Sequence, residues 1–264
     1  MIEDSALRRI AAERRLDLDL IEKNYVLGWI LKGVSACSIG DNLIFKGGTA
    51  LSKVYYPLEW RISEDLDFTL VDDPKMEDIS SKIKEELPQI VEELSGGIRL
   101  IFKNPYVQPN FLRVTVSFIG PITQHRTKIE VTREKFIGDY HTRKVQASYD
   151  YPEFSLQTYT LNTILAEKLR SLIERTKIRD YYDSWRLLNM NAVDTRLVQK
   201  LFLKKCKGKG VVFRNINQFF PEDILERLEP YLPTLTRLTP EPLPSLNIIL
   251  EELRENIEII VNDA

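Results

Sequence analysis

Apolar and polar positions along this chain follow two periods, and the balance between them changes part-way. Leu112, Val114, Val116 and Phe118 alternate with polar neighbours, and Ile129 and Val131 alternate with Lys128, Glu130 and Thr132, as half-buried strands do. Short apolar runs at 42–46 (NLIFK), 65–71 and 98–102 read as further strands. Around them the period is helical. Glu3–Arg14 makes a short charged helix, and Leu20, Leu27, Leu31 and Val34 mark a second one, with Tyr25 and Trp29 adding bulk. A third is expected over Thr49–Tyr56, stopped by Pro57. A fourth starts at Asp73-Pro74, carries the stripe Met76, Ile79, Ile83, Leu87, Ile90 and Leu94, is kinked or split by Pro88, and closes at Gly96-Gly97. Residues 138–157 mix polar and aromatic positions, read as further strands with a connecting loop. Beyond them the pattern is helical throughout: Thr158–Arg175, Arg179–Leu188, Thr195–Lys205 and Pro221–Leu232. A last helix carries Leu246, Ile249, Leu250, Leu253, Ile257 and Ile260 on one face, after a proline-rich EPLPS linker. The expected organisation is α+β, with a mixed unit over 1–155 and a helical domain over 156–264.

Composition narrows the classes. The 264 residues are 43% hydrophobic and 29% charged, which excludes a disordered chain. No apolar run reaches the roughly 20 residues of a membrane span, and the opening MIEDSALRRIAAERR has no apolar core of a secretory signal, so a cytoplasmic protein is expected. Cys37 and Cys206 are too few for a disulfide framework and form no metal set with His125 and His141. A net charge of −2 gives no global attraction to nucleic acid, so RNA binding would need a local basic patch. Lys204-Lys205-Cys206-Lys207-Gly208-Lys209, followed by Phe213 and Arg214, reads as such a patch on a loop, or as a solvated charged loop with no ligand.

The candidate chemistry lies in the stretch KGGTALSKVYYPLEWRISEDLDFTL, residues 46–70. In a strand, Asp65 and Asp67 project from one face while Leu66 and Phe68 enter the core. Two such carboxylates can hold Mg²⁺ or Mn²⁺ for phosphoryl transfer, with Glu130 from a neighbouring strand as a third. Taken alone the pair reads equally as a solvated strand face. The Gly47-Gly48-Thr49 turn ahead of it shifts the balance, because glycine admits close backbone approach to phosphate. Lys46, Lys53 and Arg61 stand close in sequence as nucleotide-binding candidates. Downstream, Lys168 sits in an apolar helical stretch, and Asp180 and Asp183 share a helix face with Arg179 placed to pair with Asp183. That group could bind a triphosphate, or it could tie two helices together.

KGGTALSKVY with RISEDLDF, AEKLRSLIERTKIRDYYDSW downstream and the weaker Glu22-Lys23-Asn24-Tyr25 resemble the AbiEii/AbiGii toxin family of nucleotidyltransferases. The resemblance implies a polymerase-β-like fold, a mixed sheet with flanking helices, and a C-terminal helical region that completes a nucleotide cleft. It implies Asp65 and Asp67 as metal ligands with Ser63 at the phosphates, Glu130 as third carboxylate, Lys168 as the family's lysine, and Asp180 or Asp183 as its downstream aspartate. It further implies an NTP donor, an RNA acceptor (tRNA), a cognate antitoxin and a place in phage defence. Asn24, where an acidic residue is common, and Ile178, where proline often precedes Arg-Asp, depart from the pattern. Transfer to a small molecule or a protein side chain, and a non-catalytic nucleotide-binding partner, are the competing expectations.

Overall fold

The structure, a computed structural model, describes residues 1–262. The chain forms two compact units. One comprises Met1–Arg133, His141–Thr158 and Leu238–Pro240, and the other Glu134–Tyr140, Tyr159–Arg237 and the chain from Glu241 onward.

The first unit is built on a mixed sheet. Its strands are β1 (Leu43–Lys46), β2 (Leu66–Leu70), β3 (Arg99–Phe102), β4 (Tyr106–Gln108), β5 (Phe111–Ile119), β6 (Gln124–Thr132), β7 (Tyr140–Val145) and β8 (Phe154–Tyr159). The spatial order is β3-β5-β6-β2-β1-β8-β7, with β4 also paired to β5. β2 runs antiparallel to β1 and parallel to β6. The register separates two faces. Phe45, Phe68, Val131 and Leu112 form one buried apolar row, and Leu66, Ile129 and Val114 another. Positions between them carry Lys46, Asp67, Glu130 and Arg113 to the opposite face.

Helices α1 (Asp4–Arg14), α2 (Leu18–Ala36) and α4 (Met76–Ser95) belong to this unit. α2 buries Leu20, Ile21, Tyr25, Val26, Leu27, Ile30 and Leu31, so it is enclosed on nearly every side rather than amphipathic. α4 differs from expectation at both features read from its prolines. It starts at Met76 with Lys75 as N-cap, because Asp73 adopts a left-handed φ of 55° incompatible with capping there. It also runs unbroken through Pro88, where the carbonyl left without a donor belongs to exposed Lys84 and can be hydrated. Met76, Ile79, Ile83 and Leu87 are buried as expected, but Val91 continues the stripe and Leu94 is exposed. The expected helix after the glycine turn is α3 (Gly47–Ala50), which widens at once into a π-helical turn over Leu51–Tyr55.

The second unit is helical: α5 (Leu161–Glu174), α6 (Ile178–Asn189), α7 (Thr195–Lys209), α8 (Ile224–Leu228), α9 (Leu232–Leu238) and α10 (Leu246–Asn262). Thr158 and Tyr159, expected in the first of these helices, instead close β8, and Thr160 caps α5 by accepting from the Thr163 N–H. The helix expected over Pro221–Leu232 is split into α8, a 3₁₀ turn over Glu229–Tyr231 and the start of α9. Leu246, Ile249, Leu250, Leu253, Ile257 and Ile260 are all buried along α10, as their spacing requires. Among the described residues no helix is long and apolar enough to cross a membrane.

Candidate active site

One row of residues crosses the polar face of the sheet. Lys46 stands opposite Asp67, Asp67 opposite Glu130, and Glu130 opposite Arg113, so cations flank two adjacent carboxylates on neighbouring parallel strands. Residues facing each other in such ladders project from the same side. Asp65 lies two residues before Asp67, at the bend that opens β2, and like Asp67 and Glu130 it is half-buried.

The glycine turn is shaped around this row. Gly47 has φ of 74°, in the left-handed region, and a Cβ there would lie 2.6 Å from Asp67 Oδ2. The absence of a side chain therefore makes room for the carboxylate as well as the backbone conformation. A Cβ on Gly48 would lie 2.6 Å from the Arg61 guanidinium and 3.3 Å from Ser63 Oγ. Thr49 is fully buried; its hydroxyl bonds Ser63 Oγ at 2.7 Å and donates to the Asp65 carbonyl. Its hydroxyl thus fastens the turn to the aspartate bend rather than lying open to a phosphate. Lys46 donates to Thr132 Oγ1 at 2.9 Å.

Lys53 is also internal. Its ammonium donates to the Asn24 carbonyl at 2.5 Å and to Asn24 Oδ1 at 2.8 Å, and lies 5.3 Å and 5.7 Å from the Tyr149 and Tyr151 ring centroids. Burial with a neutral amide as partner lowers its pKa to about 7.

Sequence reasoning missed the layer that holds these parts. Glu22, on α2, accepts from the Ile122 N–H (2.7 Å), the Thr123 N–H (2.9 Å) and the Thr123 hydroxyl (2.7 Å), clamping the turn between β5 and β6. Lys23 binds Glu64, next to Asp65, at 3.0 Å, and Asn24 meets Lys53. Three successive residues therefore fix three separate parts of the site. The Glu22-Lys23-Asn24-Tyr25 resemblance was the only signal, because the partners are tens of residues away in sequence.

In the helical unit, Lys168 lies 3.1 Å from Asp180 Oδ1 and 2.6 Å from Asp183 Oδ2, all three being buried. Asp180 Oδ2 also accepts from Arg175 Nε and Nη2, each at 3.1 Å. Burial opposes ionisation of Asp180, but the Lys168 and Arg175 charges outweigh it and hold its carboxyl below the usual range. The pairing expected between Arg179 and Asp183 is taken by Lys168, and the arginine of the cluster is Arg175, which spacing on one helix could not reveal. The expected basic loop is a further correction: 204–209 is the last part of α7. Lys205 is buried, donating to Glu134 at 2.5 Å and to the Tyr159 hydroxyl at 3.1 Å. Phe213 packs at 5.2 Å and 5.5 Å, centroid to centroid, against Phe202 and Phe219.

Asp65 and Asp67 offer the hard oxygen donors that Mg²⁺ takes, and an ion completed by water and phosphate oxygens needs only one or two carboxylates. Glu130 shares the face of Asp67, but its carboxylate is held by Arg113 Nε at 2.7 Å. Accordingly, no three acidic, histidine or cysteine side chains among the described residues make a ready-formed metal cage.

Known structures share this fold. MenT4, a nucleotidyltransferase toxin of Mycobacterium tuberculosis, superposes with a TM-score of 0.75 at 20% identity, over 99% of this chain and 90% of that one. JHP933 of Helicobacter pylori and a putative nucleotidyltransferase of the same organism each give 0.59 at 17% identity, over 94% of this chain and 94% and 97% of theirs. At these identities the likeness speaks for the fold alone. No curated protein matches the chain significantly. Residues 29–258, which include the glycine turn, both aspartates, Glu130 and the Lys168 cluster, match the nucleotidyl transferase AbiEii toxins of type IV toxin–antitoxin systems, and the chain belongs to that family of nucleotidyltransferases.

Proposed function

We propose that this enzyme transfers a nucleoside monophosphate from an NTP to an RNA acceptor, tRNA being the first candidate, with Asp65 and Asp67 holding Mg²⁺. Membership of the family implies an NTP substrate and an antitoxin partner. The observation that carries the site assignment is the Lys46–Asp67–Glu130–Arg113 row with Gly47 moulded against Asp67. Phosphoryl transfer asks little covalent chemistry of a protein and much positioning and charge compensation, which is what this row supplies. Bound Mg²⁺ would neutralise charge on the reacting phosphates and lower the pKa of an attacking hydroxyl.

The chain's own residues set the stage for that. Gly47 and Gly48 let the backbone approach the nucleotide, and Thr49 and Ser63 fix the turn against the Asp65 bend. Arg113 restrains Glu130, whose carboxylate would be a further oxygen donor for the metal once released from that pair. Within the helical unit, Asp180 and Asp183 hold the Lys168 ammonium in place. The test is to incubate the purified protein with Mg²⁺, each labelled NTP in turn, and either total RNA or a protein extract. Label in RNA, with one NTP preferred and loss on chelation, is expected. Label confined to protein, or to neither fraction, would overturn the RNA acceptor.

A further inference from the structure

The row that carries Asp67 and Glu130 does not end at Arg113. Arg113 stands opposite Tyr106 of β4, so an exposed tyrosine closes the same line of side chains on the outer strand. Farther along the same face, Lys128 stands opposite Thr115, and Arg126 opposite Ser117. Lys103 follows β3 and donates its backbone N–H to the Thr115 carbonyl at 3.0 Å. Lys103, Arg113, Arg126 and Lys128 are all exposed. Against them these rows of β4, β5 and β6 contain a single acid, Glu130, and among the described residues Lys103, Arg126 and Lys128 have no acidic partner. In a chain of net charge −2 this is a local concentration of positive charge.

Its layout favours a nucleic acid strand. Arg126 and Lys128 alternate along one strand, so their side chains emerge about 7 Å apart on one face, a spacing that successive phosphates can follow. Tyr106 is 54% exposed, and its ring stands 6.1 Å from that of Phe111, over which the Arg113 guanidinium lies at 5.2 Å. An exposed ring buttressed in this way is a platform on which a base can stack. A small acceptor would need neither a run of cations across several strands nor a ring at its end.

We propose that this face of β4, β5 and β6 is the track on which the acceptor RNA lies, with phosphates on Lys103, Arg126, Lys128 and Arg113 and a base on Tyr106. The inference rests on the RNA-acceptor reading above. It moves the RNA contact from α7, where Lys205 is buried, to the sheet that carries Asp67.

The test uses the full chain in two assays: anisotropy of a labelled single-stranded RNA against salt without NTP, and nucleotide transfer to RNA at varied RNA and varied NTP. The double variant Arg126→Glu/Lys128→Glu is expected to weaken RNA binding by about tenfold or more. It should also make the salt dependence shallower by about 1.4 in log–log slope, two single-strand contacts being lost, and raise the KM for RNA but not for NTP. Tyr106→Ala should weaken binding by about tenfold without changing the slope. Lys204→Glu/Lys207→Glu, on exposed positions of α7, should leave all of these unchanged. If the double variant does not fold, Lys103→Glu, outside the strand ladder, makes the same test through a slope shallower by about 0.7. Wild-type labelling of RNA together with unaltered binding and KM in the variants would overturn the track alone. Wild-type labelling of protein or a small acceptor instead of RNA would overturn the acceptor, and the track with it.

Discussion

At the scale of single residues, the place of Asp67 was legible and its supports were not. Alternation in a strand is enough to set Asp67 on the face opposite Leu66 and Phe68, because period two is a property of the backbone, whereas Asp65, expected in the same strand, lies at the bend before it. That Gly47 leaves room for Asp67 needs the register of β1 on β2, which sequence does not contain. Gly47→Ala forces both a left-handed backbone and a 2.6 Å contact with Asp67 Oδ2. It should lower kcat by at least about tenfold, a shift of about 1.4 kcal/mol in the barrier, while RNA binding stays unchanged; steady-state kinetics with anisotropy checks this. Lys53 read as a phosphate-binding candidate because a cation near a glycine turn invites that reading, yet its burial against Asn24, Tyr149 and Tyr151 makes it part of the scaffold. Burial brings its pKa from 10.5 down to about 7, so between those values the unfolded chain binds a proton that the folded chain does not. Stability from this site therefore rises with pH from about 7 towards 10, by up to about 1.4 kcal/mol per unit, and is level below 7. Chemical denaturation of wild type and Lys53→Met at several pH values should show that slope as the difference between them. A level difference would contradict the assignment.

At the scale of elements, long periodic segments such as α10 and β5 were readable because packing one face imposes a period. Errors came where a local signal was outvoted. Pro88 sits where its missing hydrogen bond falls on an exposed carbonyl, so α4 continues. Lys204–Lys209 is rich in charge, but buried partners for Lys205 keep it helical to Lys209. α2 acts as the strap of the site through Glu22 and Lys23. Glu22→Ala leaves three donors of the β5–β6 turn without their acceptor, two of them backbone N–H groups, and should destabilise the fold by about 3 kcal/mol, seen as a lowered denaturation midpoint. In the helical unit, Lys168→Ala takes from two buried carboxylates the cation they share and should cost about 3–5 kcal/mol. Because the Asp180 carboxyl is held below its ordinary value, the stability it contributes is present above about pH 4 and is lost as pH falls through its lower folded pKa. Acid unfolding of Asp180→Asn should accordingly begin from a lower plateau and show a weaker dependence in that window.

At the scale of the whole molecule, the mixed unit followed by helices was visible in the change of period, whereas the segments that leave and rejoin each unit, 134–140 and 238–240, carry no periodic signal. Family membership makes the enzyme a nucleotidyltransferase, and the sheet register supplies the argument for where its chemistry lies. The most direct test compares wild type, Asp65→Ala and Asp67→Ala for Mg²⁺-dependent transfer of labelled nucleotide to RNA, with the melting temperature of each measured alongside. The account predicts transfer by wild type, loss of at least about a thousandfold in both variants, and retained folding, since both aspartates are only half-buried. A folded Asp67→Ala protein that transfers nucleotide at the wild-type rate would contradict it.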